Sequence, residues 1–70
     1  MERVRVESSE LASVGYDEPR RILEVEFVAG GTYRYGGVSL EVYDALMAAD
    51  SLGRYFNAHI RGHYLYAKTD

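Results

Sequence analysis

The sequence has no cysteine and no tryptophan, one proline and two histidines. Without cysteine, disulfides, thiolate metal sites and a cysteine nucleophile are excluded. No apolar run approaches membrane-spanning length. Met1 to Glu10 carries charges throughout and no apolar core, so it does not read as an export signal. Positive charge is also scarce: eight Lys and Arg face eleven Asp and Glu, for a formal net charge of −3. That balance argues against strong nonspecific binding to phosphate backbones, which needs clustered cations, yet it leaves room for a local basic patch. A cytoplasmic protein without cofactor or membrane partner is the expectation.

What is present points to one small domain spanning residues 1–70, with 47% hydrophobic residues. A core of this size is marginal and must be held by packing or by a partner. The aromatics are seven Tyr and two Phe. A tyrosine buries a large ring while its hydroxyl seeks a polar partner, which suits both a small core and a binding face.

The first half reads as strands and the second as helices. Leu11 to Tyr16 is a short strand with Ala12, Val14 and Tyr16 on one face. Asp17 to Arg20, with Pro19, is a turn. Ile22 to Val28 alternates clearly: Leu23, Val25 and Phe27 face one way, Glu24 and Glu26 the other, toward solvent. Ala29-Gly30-Gly31 reverses the chain into Thr32 to Tyr35. Ser39 is the expected N-cap of a helix from Leu40 to Ala49, with Val42, Tyr43, Leu46 and Met47 as its core stripe. Asp50 or Ser51 caps a second helix, Leu52 to Arg61, which Gly62 stops. Gly53 is a weak point within it. His63 to Lys68 reads either as a last strand or as an extended tail. The expected architecture is α+β: a three-stranded antiparallel meander followed by two short helices packed on one face.

The ordered series of these segments resembles a KTSC domain. It runs from Val6-Glu7-Ser8-Ser9 and Leu11-Ala12-Ser13-Val14-Gly15-Tyr16-Asp17 through Leu23-Glu24-Val25-Glu26-Phe27 to Gly31-Thr32-Tyr33-Arg34-Tyr35. Val42-Tyr43, Ser51-Leu52-Gly53-Arg54-Tyr55-Phe56-Asn57 and Ile60-Arg61-Gly62 continue it. The likeness covers Val6 to Tyr66, with Tyr33-Arg34-Tyr35 as its most recognisable motif. It implies a small bacterial or phage domain of a type also fused to the C-terminus of some lysyl-tRNA synthetases. It further implies an RNA-associated or tRNA-related role. The tail departs from the pattern: Gly62-His63-Tyr64-Leu65-Tyr66 stands where a more basic, proline-containing segment is expected, which lowers the local positive charge.

Several residue groups carry chemistry. Tyr33 and Tyr35 could stack on unpaired bases with Arg34 on phosphate, or both rings could fill the core and leave Arg34 exposed on the opposite face. Arg54, Asn57 and Arg61 recur on one helix face and, with His63, Tyr64 and Tyr66, interleave charge and aromatics. The alternative there is a solvated face salt-bridged to Asp50 or Glu41. His59 and His63 have metal-chelating spacing, but Gly62 falls between them and no third ligand is near, so no metal is expected. Ser8, Ser9 and Ser13 lack a nucleophile's surroundings, and no catalysis is expected. Two readings follow. One is an RNA-binding module using Arg34, Arg54, Arg61, His63, Tyr64 and Tyr66. The other is a protein-interaction or self-association module using the tyrosines.

Overall fold

The computed structural model describes residues 1–69. Five strands form one antiparallel sheet in sequence order: β1 (Arg3–Arg5), β2 (Leu11–Asp17), β3 (Ile22–Phe27), β4 (Thr32–Gly36) and β5 (Tyr66–Lys68). Two helices, α1 (Leu40–Ala48) and α2 (Leu52–His59), lie between β4 and β5 in the chain. No helix among the described residues is long and apolar enough to cross a membrane.

The α+β class and the two helices agree with the sequence, but the sheet has five strands rather than three. The C-terminal segment is a strand, and β1 was not foreseen. All three β1 residues are exposed, so the segment shows no buried-exposed alternation. Both serine caps form: Ser39 Oγ accepts from the Val42 amide and Ser51 Oγ from the Arg54 amide. The turn glycines do what the β3–β4 reversal needs, with φ of 114° at Gly30 and 90° at Gly31.

A bulge changes the faces of β2. Leu11 pairs with Phe27 while Ser13 pairs with Glu26, so Ala12 is the extra residue. Leu11 and Val14 are therefore both fully buried in the core, and Ala12 does not line up with Val14 as strict alternation suggested. Val14, Leu23, Val25, Val38, Leu46, Phe56 and Ile60 complete the buried centre, between the sheet and the helices. Tyr16 stacks on Tyr43 of α1, with ring centroids 4.7 Å apart, and donates its hydroxyl to the Val38 carbonyl at 2.6 Å. On α2, Phe56 meets Phe27 and Tyr35 edge-on, at 5.4 Å each. One helix is thus clamped to each end of the sheet face by aromatic contact.

On the other face the expectation for β3 is corrected. Glu24 does not point into solvent: it is 7% exposed. Arg34 Nε lies 2.7 Å from its Oε1, and Arg3 Nη1 lies 3.1 Å from its Oε2. Glu26 accepts from Ser13 Oγ at 2.8 Å. The register explains the ion pairs, because Arg3, Gly15, Glu24 and Arg34 stand opposite one another across four adjacent strands. With no side chain at Gly15, Arg3 can reach over β2 to Glu24. A Cβ at Gly15 would lie 2.6 Å from the Glu2 carbonyl oxygen and 3.0 Å from Arg3 Cγ.

Gly15→Ala should therefore push β1 off the sheet edge and break the Arg3–Glu24 pair. We expect a loss of about 1–3 kcal/mol in urea unfolding, the usual cost of overpacking. Amide exchange should be selectively faster at Val14, whose strand partner is Val4. Unchanged stability and unchanged β1–β2 protection would contradict this account of Gly15.

Candidate nucleic-acid interface

A groove of about 580 Å³ opens on the helix side of the sheet, beyond the end of α2. This lies within the roughly 300–1,000 Å³ typical of ligand sites. Phe27, Tyr33, Tyr35 and Tyr66 form its aromatic wall, and Glu10 and Arg61 line it as well. The strand register builds the wall. Tyr35 pairs directly with Tyr66, and Tyr33 with Lys68, so all four share one face. The Tyr66 ring sits 5.9 Å from Tyr33 and 5.7 Å from Tyr35, and Phe27 meets Tyr33 edge-on at 5.6 Å.

Glu10 is set by local hydrogen bonds. Ser8 Oγ accepts from the amides of Glu10 and Leu11, and the Glu10 carbonyl accepts from the Val28 amide. Asn57 Nδ2 of α2 donates to both carboxylate oxygens of Glu10, at 3.2 and 3.1 Å. α2 comes so close here that a Cβ at Gly53 would stand 3.2 Å from Glu10 Cβ. The helical glycine that looked like a weak point is thus a close-approach point. Arg61 is held more loosely. Its Nη2 is 3.9 Å from Glu10 Oε2, its guanidinium lies 5.9 Å from the Phe56 ring centroid, and its side chain is 62% exposed. Glu10, and not Asp50 or Glu41, is the carboxylate that Asn57 and Arg61 use.

Tyr35 is the groove's buried member, 6% exposed. Among the described residues its hydroxyl has no hydrogen-bond partner, and no fully enclosed side-chain oxygen or nitrogen is left unpaired. The hydroxyl is therefore not fully enclosed, and Tyr35 lines the groove. Burial pushes its pKa above the usual 10.0, and the Arg61 guanidinium pulls partly the other way. Tyr16 is likewise raised, chiefly by burial.

The sequence-derived candidates separate in space. Arg61 and Tyr66 meet Tyr33 and Tyr35 at the groove. Arg34 is on the opposite sheet face, committed to Glu24. Arg54 is exposed on α2 and, like His63 and Tyr64, does not line the groove. His59 packs against Tyr55 at 4.4 Å, within α2, and His63 follows the helix end and Gly62, which has φ 81°. Ser13 Oγ is engaged with Glu26 and Ser8 Oγ with two backbone amides. Glu10, Phe27 and the Val28-Ala29-Gly30 turn are groove residues not anticipated. Phe27 had been visible as a core position of β3, while nothing in the chain order pairs Glu10 with Asn57, 47 residues away.

A single antiparallel sheet with two helices on one face and an aromatic groove beside them defines a small α+β domain. The KTSC domain family model matches residues 7–64, and the chain belongs to that family. It is 52% identical to an uncharacterized protein of Stutzerimonas stutzeri, with full coverage of both chains. It is 45% identical to a protein of Tsukamurella paurometabola over 80% of this chain and 84% of that one. The crystal structure of a KTSC domain protein from Yersinia pestis superposes with a TM-score of 0.97 at 40% identity, covering 99% of this chain and 97% of that one.

Tyr35 and the half-buried Tyr16 give stability a defined alkaline limit. Their folded pKa lies above that of the unfolded chain, so their contribution is intact below pH 10.0 and is lost as pH rises through the folded values. Urea midpoints should be flat from neutrality to that point and fall beyond it, and Tyr35→Phe should reduce the fall. An equally steep decline in the variant would contradict the assignment.

Proposed function

We propose that this domain is a non-catalytic RNA-binding module that receives an unpaired base in the aromatic groove. The observation that carries the reading is the convergence of Tyr33, Tyr35 and Tyr66 with the loosely held Arg61. The exposed Tyr66 ring, beside the half-buried Tyr33, offers a stacking surface worth about 1–3 kcal/mol per base. Arg61 can turn to a phosphate, because its contact with Glu10 is long, at 3.9 Å, and its side chain is 62% exposed. Lys68, on the same face as Tyr33, adds a second cation near the rings. The local charge thus differs from the acidic whole, and the expected binding is weak and salt-sensitive.

The test is fluorescence anisotropy of short single-stranded RNA at low and then physiological salt. Tyr66→Ala and Arg61→Ala should each weaken binding roughly tenfold, consistent with one lost stack or charged hydrogen bond. Arg61→Ala should also flatten the salt slope by about 0.7, the share of one phosphate on a single strand. Arg34→Ala should leave affinity unchanged. Equal losses from Arg34→Ala and Arg61→Ala would sink the groove as the site.

One observation favours a second reading, self-association. Leu65 and Tyr66 are 88% and 64% exposed at the start of β5, an edge strand. That reading predicts a dimer in sedimentation at micromolar concentrations that Leu65→Ser disperses. A monomer throughout that range would remove it.

A further inference from the structure

The aromatic groove holds a group that stacking and phosphate contact do not use, the Glu10 carboxylate. An acidic side chain repels phosphate, so a groove serving those contacts alone would bind better without it. Glu10 is nevertheless fixed in place. Its amide donates to Ser8 Oγ, its carbonyl accepts from the Val28 amide, and Asn57 Nδ2 donates to both carboxylate oxygens, at 3.2 and 3.1 Å. The carboxylate still has acceptor capacity. A carboxylate only accepts, and each of its oxygens has two lone pairs. One donor nitrogen, that of Asn57, is shared between them. Arg61 Nη2 stands 3.9 Å from Oε2, beyond hydrogen-bond length, and the Glu10 side chain is 40% exposed. Among the described residues no other donor reaches either oxygen. A lone pair on each oxygen is thus open to a ligand in the groove.

We propose that Glu10 is a specificity-determining residue that accepts from N1–H and the N2 amino group of an inserted base, so that the groove selects guanine. Two acceptors side by side match two donors side by side, and guanine alone carries such a pair on its Watson–Crick edge. Adenine and cytosine place one amino donor beside a ring acceptor, and uracil places one N–H between two carbonyls. Each of those edges sets an acceptor against a carboxylate oxygen, which is repulsive and leaves both groups without a donor. When Arg61 turns to a phosphate, its long contact with Oε2 is replaced by a guanine donor. The inference rests on the RNA-binding reading and adds a base to it.

The experiment measures binding of short uridine oligomers whose central base is guanine, adenine, uracil or hypoxanthine, on the full chain at low salt. Hypoxanthine is guanine without the N2 amino group, and adenine has the same ring size, so stacking is held nearly constant among the three purines. The wild type should bind the guanine oligomer roughly ten- to a hundredfold more tightly than the adenine one, the discrimination of one bidentate pair. Hypoxanthine, left with N1–H alone, should fall between them. In Glu10→Gln the guanine-to-adenine ratio should collapse to near one, while the all-uridine oligomer binds no more weakly, because a charge that repels phosphate is gone. Gln keeps an acceptor for Asn57; should the variant nevertheless melt early, the wild-type comparison of guanine with hypoxanthine decides alone. Equal wild-type affinity for guanine and adenine, hypoxanthine as good as guanine, or a guanine preference that survives in folded Glu10→Gln overturns the inference and leaves RNA binding in place. So does an equal loss for every oligomer in that variant, the mark of a purely structural Glu10. No binding of any RNA at low salt overturns both.

Discussion

The Phe56 ring sets the geometry on which the groove depends. Its edge-on contacts with Phe27 of β3 and Tyr35 of β4 bind α2 across two central strands. A helix of eight residues is too short to hold its conformation alone, so this contact and the neighbouring Ile60 determine where the helix lies and where it stops. Arg61 follows directly from that stop, with its guanidinium above the same ring. The Phe56 ring therefore packs the core and positions the cation, and it supports Tyr35 from beneath. Truncating it would be felt in stability and at the groove together, which makes it a poor probe of function.

The two faces of the sheet hold their arginines differently. On the uncovered face, Arg3 and Arg34 neutralise a carboxylate that the strands have buried. Breaking such a pair leaves an uncompensated charge, so these cations are not free for a ligand. On the helix face, the Glu10 carboxylate beside Arg61 also accepts from Asn57 Nδ2. Arg61 is the more loosely held cation, 3.9 Å from Glu10 and 62% exposed.

Much of the fold could be read from local patterns. β3 alternates cleanly, the paired glycines mark its turn, and Ser39 and Ser51 start the helices. β1 escaped notice because three exposed residues carry no period, and the bulge at Ala12 hid that Leu11 and Val14 share the core. Alternation could say that Glu24 and Leu23 point to opposite faces. It could not say that arginines from two other strands close over Glu24. The site was less legible for the same reason. Its rings and charges come from β2's approach, β3, β4, the end of α2 and β5, and only the antiparallel register brings Tyr66 opposite Tyr35. The Tyr33-Arg34-Tyr35 motif did read correctly as two rings on one face with the arginine on the other.

The most direct measurement is a ¹⁵N NMR titration of the domain with short oligouridine at low and then physiological salt. The account predicts amide shifts concentrated at Gly30, Tyr33, Tyr35, Arg61 and Tyr66, which shrink as salt is added. Shifts centred instead on Arg3, Ser13 and Arg34, or none at low salt where attraction to phosphate is strongest, would contradict it.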